Sequence, residues 1–523
     1  MWIQAIIFLL LLAAAISVIL RKRGIRTAYI WLVISSICLV VWLLLVLIPV
    51  DRANPFEIRD WFQLGSLSIN LQFAIRQQNW PIIFTVATFN LAFFLTAVVR
   101  LDIRSDLKYW LVQLVMTCLA ILAFSAGNYW TLLIMWTALD ILNFFYHFQV
   151  NKSAYSIQIF RSMIIRFIGS MVLVWSIAGM QAGGINSPLD LISPRAGLSM
   201  FIAALLHSGI LPIQNQEEKS RTETDRIVRG GFKAINFAIS FAFLSLLEAP
   251  ELPMLAGFIA RVIIIIIAVV FAYQWMLRKS LAGVDYALFA GAGILFLLFL
   301  SGLPTGANFL LLTVLFAITW LTLFSHRGRP LVVLPILAFI LLSGLPFSVF
   351  SMGSRGFFYQ GELIESYILL VPFGFLLAGF LVKGMGKQRE LQEMEAWYQT
   401  VYLAGLSIYI FSLLIIVINQ ITSISAEIGS WWIGLSAAIF SAAMFVFVQR
   451  KNGISVPKDY SEDTNVEGIF RLFSLSWLFK AVMFSREKSA KIIAGFSALL
   501  EGDGGVLWAI VFLILMISLI RLL

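Results

Sequence analysis

The sequence is poor in charge and in the residues that build metal and disulfide sites. Only 12% of its 523 residues are charged, about half the usual share in soluble domains. Its two cysteines, Cys38 and Cys118, both lie in apolar runs, which excludes a disulfide framework and a CxxC metal site. The three histidines, His147, His207 and His326, are too far apart in the chain for a haem or zinc spacing. No Walker loop and no GxGxxG motif precedes a helix, so we expect no catalytic site, no metal and no cofactor in this chain.

Long apolar runs make up most of the sequence. Hydrophobic residues account for 61% of the chain, and the mean hydropathy is +0.94. Runs of roughly 17 to 22 apolar residues recur, and each is long enough to cross the bilayer core. The net charge of +10 lies mostly in loops, so the expected partner is the lipid bilayer and not nucleic acid. We therefore predict an all-α membrane protein with about sixteen transmembrane helices, centred near residues 11, 39, 89, 116, 138, 172, 206, 241, 264, 293, 316, 340, 373, 409, 439 and 514.

Basic residues in the turns predict how the chain crosses the membrane. The turns "RKRGIR", "LRKS", "HRGR" and "QRK" all follow odd-numbered spans, whereas charge-poor or acidic turns such as "EAPE" and "GLPTGAN" follow even-numbered ones. We therefore predict a multi-pass protein of the cell (plasma or inner) membrane with its N-terminus on the extracytoplasmic side. The first run, Trp2 to Leu20, leads directly into a basic turn and a second span, so we expect it to remain as an anchor.

Two segments do not read as spans. Residues 51–78 alternate polar and apolar side chains around Gly65, which predicts a small extracytoplasmic β-hairpin. Residues 463–500 form a basic amphipathic stretch that contains Trp477 and Phe484. We expect this stretch to lie along the cytoplasmic interface before the last span, either as a simple anchor or as a docking site for a partner.

Ionisable side chains inside spans are costly, and they often mark functional sites. The predicted spans contain or border eight of them: Asp140, Arg166, His207, Lys233, Arg261, Arg278, Lys279 and Asp285. Asp140 has two interpretations, a functional carboxylate or one half of a structural ion pair with Arg166. His207 can be buried cheaply as neutral imidazole, and it can also exchange a proton near neutral pH.

The span that contains His207 is interrupted. Pro212 removes a backbone donor and clashes with the preceding turn, so it predicts a broken seventh helix. Gly344 and Pro346 predict a similar break in the twelfth helix, and broken helices mark ion and substrate pathways in transporters. The two breaks are five spans apart, which predicts two inverted five-helix repeats, spans 4–8 and 9–13. The corresponding division of the chain is 1–107, 108–250 with the first repeat, 251–385 with the second repeat, and 386–523.

At these breaks the chain resembles the antiporter-like membrane subunits of respiratory complex I and their relatives in multi-subunit sodium/proton antiporters and membrane-bound hydrogenases. The family's broken helix reads roughly "KSAQFPLHTWLPDA" and is followed by "SALLHAA", where this chain has "HSGILPIQNQEE" and "GGFKAIN". His207 falls on the family's central lysine, Pro212 on its proline, and Lys233 on the histidine of the next helix. "WMLRKSLAGVDYALFAGAG" resembles "TDIKRVLAYSTISQLG", which places Arg278 and Lys279 on the basic pair.

The chain also departs from the family pattern. The family's glutamate of span 5 is Thr137 here, and Asp140, about one turn further along the helix, is its expected replacement. The histidine and lysine usual in span 11 are absent, and the ionisable residue usual at the second break is Met352, with Arg355 as the nearest charge. The first repeat therefore keeps altered polar groups, whereas the second is nearly without them.

The resemblance implies a proton-conducting subunit of an NADH-quinone oxidoreductase-like or related ion-translocating complex. Its partners would be further membrane and soluble subunits, and it would carry protons, or Na+. In this chain Asp140 would be the carboxylate, His207 the central relay and Lys233 the onward acceptor. Arg166, Arg278 and Lys279 would complete the relay.

Other functions stay open. A membrane scaffold that keeps the fold without conduction is favoured by the apolar span 11. It is also favoured by the run "QNQEEKSRTETD", whose charges can pair with one another in solvated form. The membrane subunit of a bicarbonate-uptake complex is a further alternative. A stand-alone transporter with an anion site near His207 and Lys233 is another.

Overall fold

The computed structural model describes the chain in a series of segments. They are residues 2–49, 55–64, 67–100, 106–150, 156–182, 194–211, 222–244, 253–278, 283–327, 331, 333–345, 348–349, 363–386, 389–390, 395–423 and 431–454, with seven residues between 477 and 491. These residues fall into a large unit within 1–210 and 215–458 and a small unit that holds Leu211 and the residues from 477 onward. All packing described below lies within the large unit.

The described part of the chain contains fifteen α-helices. They are α1 Trp2–Lys22, α2 Thr27–Leu47, α3 Trp80–Thr96, α4 Asp106–Phe124, α5 Tyr129–Val150, α6 Ser156–Ala182, α7 Pro194–His207, α8 Glu223–Leu244, α9 Met254–Leu277, α10 Val284–Leu300, α11 Pro304–Leu323, α12 Val333–Leu342, α13 Leu363–Gly384, α14 Ala396–Ser423 and α15 Trp431–Ile454. Eleven helices are long and apolar enough to cross a membrane. The prediction of an all-α membrane protein is confirmed, and the sixteenth predicted helix, near residue 514, lies outside the described residues.

The predicted hairpin is present between α2 and α3. Strand β1 (Phe56–Leu64) pairs antiparallel with β2 (Leu67–Phe73), with Phe56 opposite Phe73. Backbone hydrogen bonds fasten its end to the α4–α5 turn: the Ala74 nitrogen donates to the Ser125 carbonyl at 2.6 Å, and the Gly127 nitrogen donates to the Gln72 carbonyl at 2.7 Å. The hairpin therefore lies at the end of the bundle where α3 and α5 begin, which we call the hairpin side. Two short parallel strands, β3 (His326–Arg327) and β4 (Arg389–Glu390), also pair with each other.

The small unit fits the predicted amphipathic stretch. Its described residues from 477 onward are helical and exposed, and the Lys488 ammonium lies 4.7 Å from the centre of the Phe484 ring. Exposed Trp477 and Phe484 stand among lysines there. Its position along the membrane interface stays a prediction.

Helix α8 lies at the centre of the bundle. It packs against α4, α7, α10 and α11, and nearly all of its residues are buried. Two glycines allow this close packing, because a side chain at Gly230 would collide with Thr322 of α11 and one at Gly231 with Phe89 of α3. Helix α9, by contrast, exposes one apolar face, including Leu255 and Phe258, as expected where a helix borders lipid. Two charged residues of α8, Asp225 and Arg229, are thus buried inside the protein.

Some contacts of α4–α8 recur in α9–α13. In both sets the first helix packs against the second and against the last, so that α4 contacts α5 and α8, while α9 contacts α10 and α13. This is the pattern expected of two five-helix repeats. The predicted division at residues 107, 250 and 385 stays a prediction.

The two broken helices end in the same local structure. Helix α7 ends at His207 and α12 at Leu342, and a serine and a glycine follow each of them. Ser208 donates to the Leu205 carbonyl at 2.7 Å, and Ser343 donates to the Ile340 carbonyl at 3.0 Å. Each glycine is left-handed, with φ of +73° at Gly209 and +86° at Gly344, a conformation that carries no steric penalty in glycine.

A glycine lies directly at the first break. Helix α7 ends at His207, five positions before Pro212, and Gly209 has a left-handed backbone, so the role predicted for Pro212 stays a prediction. Pro212 and Pro346 lie outside the described residues. Gly209 also gives Arg166 of α6 room, because an added Cβ would lie against the Arg166 guanidinium. The break and the position of this arginine thus depend on the same glycine.

We expect Gly209→Ala to lower the thermal unfolding midpoint more than Gly24→Ala does. Both glycines have φ of +73°, so both variants incur the same left-handed strain of about 1–2 kcal/mol. Only at Gly209 would the new methyl group collide with another side chain, because nothing lies within 4 Å of a Cβ built at Gly24. Circular dichroism of the purified protein in detergent measures both midpoints. Equal midpoints would contradict the collision with Arg166.

Candidate functional site

Three consecutive helices bring a carboxylate, a guanidinium and an imidazole together. Asp140 of α5 lies between Arg166 of α6 and His207 of α7. Its Oδ1 is 3.1 Å from Arg166 Nη1, and its Oδ2 is 3.2 Å from His207 Nε2. His207 is fully buried, and only 11% of the Asp140 side chain is exposed. The structure thus contains the ion pair of Asp140 with Arg166, one of the two interpretations of this aspartate, and it brings His207 to the same carboxylate.

The backbone positions these groups closely. Gly169 of α6 lets α7 approach, since a Cβ at that position would lie 3.0 Å from the His207 backbone nitrogen. Thr137, which falls on the family's glutamate, is exposed and donates to the Leu133 carbonyl at 2.8 Å. Asp140 is therefore turned inward where Thr137 is not, although the two lie only about one turn apart.

The second nitrogen of His207 also has a partner. His207 Nδ1 lies 3.0 Å from the Ser240 hydroxyl of α8, and that hydroxyl lies 2.9 Å from the Asn236 carbonyl. Ser240 has one hydrogen, so it can donate to only one of these two acceptors at a time. When Nδ1 carries a proton, it donates to Ser240, which donates to Asn236. When Nδ1 is bare, the hydroxyl can turn and donate to it.

Polar groups without protein partners lie around His207. The Trp136 ring stacks on the imidazole at 3.9 Å between ring centres, with the planes 8° apart. Among the residues that the structure describes, its buried indole nitrogen has no hydrogen-bond partner, and neither have the two side-chain polar atoms of buried Asn236. Asn236 lies one turn before Ser240 on α8. Buried polar atoms of this kind usually bind ordered water.

Lys233 does not join this cluster. Its ammonium donates to both oxygens of Asp285 on α10, at 2.8 and 3.0 Å. On α8 it lies seven residues before Ser240, a rise of about 10.5 Å. Lys233–Asp285 is thus a second ion pair, which joins the first repeat to the second.

The other basic residues predicted for the relay lie elsewhere. Arg278 ends α9, and its guanidinium lies 4.6 Å from the centre of the Tyr286 ring. Arg261 donates to the Leu300 carbonyl at 3.4 Å, near the end of α10. Lys279, Met352 and Arg355 lie outside the described residues. No contact with Asp140 or His207 is seen for Arg278 or Arg261.

Sequence analysis missed a buried charged group at the start of α8. Asp225 accepts hydrogen bonds from the Tyr146 hydroxyl and from Arg229 Nε, the latter at 2.9 Å, and it is fully buried. We had treated "QNQEEKSRTETD" as a solvated run, which is wrong for its last residue. The four-residue spacing of Asp225 and Arg229 on one helix was the signal that could have revealed this pair.

The second repeat also contains a buried lysine that the sequence analysis overlooked. Lys383, near the end of α13, donates to the Trp275 carbonyl at 2.5 Å, and its ammonium lies 3.5 Å from the centre of the Trp275 ring. Its position at the end of the apolar run "FLLAGFLV" was the available signal. Elsewhere in this repeat, Leu342 occupies the position before Ser–Gly that His207 occupies in the first. The buried threonines Thr313 and Thr319 of α11 donate to carbonyls of their own helix.

The cluster can hold and move a proton, because it joins a titratable imidazole to a carboxylate on one side and a hydroxyl on the other. Across the described residues, no group of three or more histidine, cysteine, aspartate or glutamate side chains could hold a metal ion.

Known proteins resemble this chain in structure but not in sequence. No family model and no curated protein sequence matches it. Its structure is similar to a chain of the Mrp complex from Dietzia sp. DQ12-45-1b, with a TM-score of 0.68 and 14% identity; the match covers 100% of this chain but only 63% of the Mrp chain.

Two respiratory complexes give similar matches. A chain of the membrane-bound sulfane sulfur reductase, an archaeal respiratory membrane complex, matches with a TM-score of 0.63 and 14% identity over 99% of this chain and 100% of that one. A chain of respiratory complex I from Thermus thermophilus matches with a TM-score of 0.59 and 15% identity over 84% of this chain and 99% of that one. The chain therefore has the fold of the antiporter-like membrane subunits that its broken helices resemble.

Proposed function

We propose that this chain is a proton-conducting subunit of a multi-subunit ion-translocating membrane complex and that His207 is its relay. The similar chains of solved structure support a role in a complex, since they come from the Mrp complex and from two respiratory complexes. An NADH-quinone oxidoreductase-like complex is the assembly that the resemblance favours. One observation carries the relay: buried His207 faces the Asp140 carboxylate at 3.2 Å with one nitrogen and the Ser240 hydroxyl at 3.0 Å with the other.

Charge balance lets this histidine change its protonation state. The Arg166 guanidinium stays protonated in proteins, so with ionised Asp140 it forms a pair that is neutral overall. His207 can therefore lose its proton without leaving an unpaired carboxylate in the interior, which would cost several kcal/mol. The structural ion pair and the functional carboxylate are thus two roles of one aspartate.

The transfer uses both imidazole nitrogens. A proton taken up at one nitrogen gives an imidazolium whose Nε2–H faces Asp140 and whose Nδ1–H donates to Ser240. The Nδ1–H bond breaks and the proton passes to a water molecule, which leaves neutral imidazole; the Ser240 hydroxyl then turns from the Asn236 carbonyl to donate to Nδ1. Histidine suits this role because its ordinary pKa lies near neutral pH.

A non-conducting scaffold is the second candidate, and one observation favours it. The described part of the second repeat has Leu342 at the position that corresponds to His207, and the buried threonines of α11 are bonded to their own helix. A subunit that passed protons through both repeats would need titratable groups at these positions. The two candidates differ in whether any proton flux depends on His207.

We expect His207→Leu, which copies the residue of the second repeat, to lower proton flux by about tenfold or more. Asp140→Asn should have a similar effect, because it removes the charge that faces the imidazole. The native complex is reconstituted in liposomes, a potassium diffusion potential is imposed, and a pH-sensitive dye reports the flux. Thr313→Ala is the matched control, since it removes a buried hydroxyl that donates to the Phe309 carbonyl of its own helix. Unchanged flux in both the His207→Leu and the Asp140→Asn variant would contradict the relay and favour the non-conducting scaffold.

A second comparison separates conduction from stability. Asp285→Asn should lower the thermal unfolding midpoint, because it leaves the Lys233 ammonium without its carboxylate. The double variant Lys233→Met/Asp285→Leu removes both charges and should recover much of that loss. If Lys233 is an onward acceptor, flux stays several-fold low in the double variant. Full flux in the double variant would show that the Lys233–Asp285 pair is only a structural contact between α8 and α10.

A further inference from the structure

A cavity opens on the hairpin side of the first repeat, close to His207. It has a volume of about 50 Å³, enough for roughly three water molecules. Its wall carries polar groups from Arg76, Gln78, Asn79 and Asn308. Gln78 is exposed, and Ala126 of the wall pairs with Phe73 of the hairpin. A water-sized cavity with a few polar groups in a mainly apolar wall thus reaches inward from that side.

Two aromatic rings separate this cavity from the relay histidine. Phe243 of α8 lines the cavity, and its ring lies edge-on against Trp136 with 5.7 Å between ring centres. Trp136 in turn stacks on His207 at 3.9 Å. Ile239, the residue before Ser240, also lines the cavity. One phenyl ring and one indole ring therefore lie between the cavity and the imidazole of His207.

Unpaired polar atoms stand on the inner side of these rings. The indole nitrogen of Trp136 and the side-chain amide of Asn236 are buried without hydrogen-bond partners. Such atoms carry a penalty of roughly 1–3 kcal/mol each unless water reaches them. These unpaired atoms favour access of water to the space beside His207.

A proton route from His207 through the second repeat is less favourable. From His207 it would run along α8 to Lys233, which Asp285 holds through both oxygens. Beyond that pair, α11 has no titratable residue, and the second break carries Leu342. A proton on His207 therefore has a shorter way to water within its own repeat.

We propose that the cavity is the outlet vestibule of the proton path and that Phe243 is its apolar gate. The inference rests on the proposed role of His207. An imidazolium N–H bond breaks, the proton joins a water molecule that has passed Phe243, and neutral imidazole remains. An apolar constriction of this kind closes by excluding water and opens when the ring moves. The path thus leaves on the hairpin side, between α8 of the first repeat and the neighbouring elements that line the cavity, without passing the Lys233–Asp285 pair.

Thiol accessibility tests the gate without depending on proton flux. In the complex with Cys38→Ala and Cys118→Ala, Ser240→Cys places a thiol beside His207. We expect silver ion added from the hairpin side to label it at least about tenfold faster once Phe243→Ala is added. Phe241→Ala is the matched control, because that phenylalanine lies on the same helix, packs on Phe237 and does not line the cavity. Mass spectrometry of the subunit measures the labelling.

Equal rates with Phe243→Ala and Phe241→Ala, or labelling from the opposite side only, would overturn the proposal. A second measurement keeps Phe243 in place. Asn308→Cys lines the cavity and Gln77→Cys lies exposed outside it, so methanethiosulfonate ethylammonium from the hairpin side should label both. Only the adduct at 308 should lower proton flux, by several-fold; equal flux for the two adducts counts against the vestibule.

The two proposals can fail separately. If no version of the complex conducts protons, the proposed function is wrong, while the labelling of Ser240→Cys still decides whether water reaches this space from the hairpin side. If flux depends on His207 but Phe243→Ala leaves the labelling unchanged, the relay stands and the outlet is elsewhere.

Discussion

The structure depends on the cost of leaving a charge unpaired in an apolar interior. Asp140 meets this constraint with two partners on two neighbouring helices, and Asp285 meets it with Lys233 on α8. In a membrane these contacts also decide how helices associate, because lipid tails are as apolar as leucine and give apolar helix faces no preference for one another. The Asp140 contacts join α5, α6 and α7, and the Lys233–Asp285 pair joins α8 to α10. The same charges that suit proton transfer thus hold the two repeats in place.

Much of the fold could be predicted because hydropathy acts over long stretches. The described helices fall where the apolar runs lie, and the hairpin lies where period-two alternation appears around Gly65. The contact of Asp140 with Arg166 could also be expected, since both are ionisable groups in adjacent spans. These features depend on composition and order along the chain, which the sequence states directly.

The rest depends on rotation and on contacts between distant helices. The resemblance placed Lys233 in line with His207, but a helix rotates by 100° per residue, and Lys233 faces α10. Asp225 looked like part of a solvated run because one of its buried partners, Tyr146, lies on α5, although its pairing with Arg229 four residues on could have been read from the sequence. The left-handed Gly209 was overlooked because Pro212, the stronger breaker by rule, stood nearby. Each of these differences concerns which other residues a side chain contacts. The apolar residues are spread too evenly along these helices for the sequence to predict those contacts.

The paired breaks of α7 and α12 bear on how such proteins are interpreted. The same serine–glycine turn ends both helices, although one carries a histidine before it and the other a leucine. The turn therefore does not require an ionisable residue at the last position of the helix. The backbone of the break and the side chain that it presents are separate features of this fold. A broken helix alone thus does not identify a site of proton transfer, and the residue placed at its end has to be examined in each case.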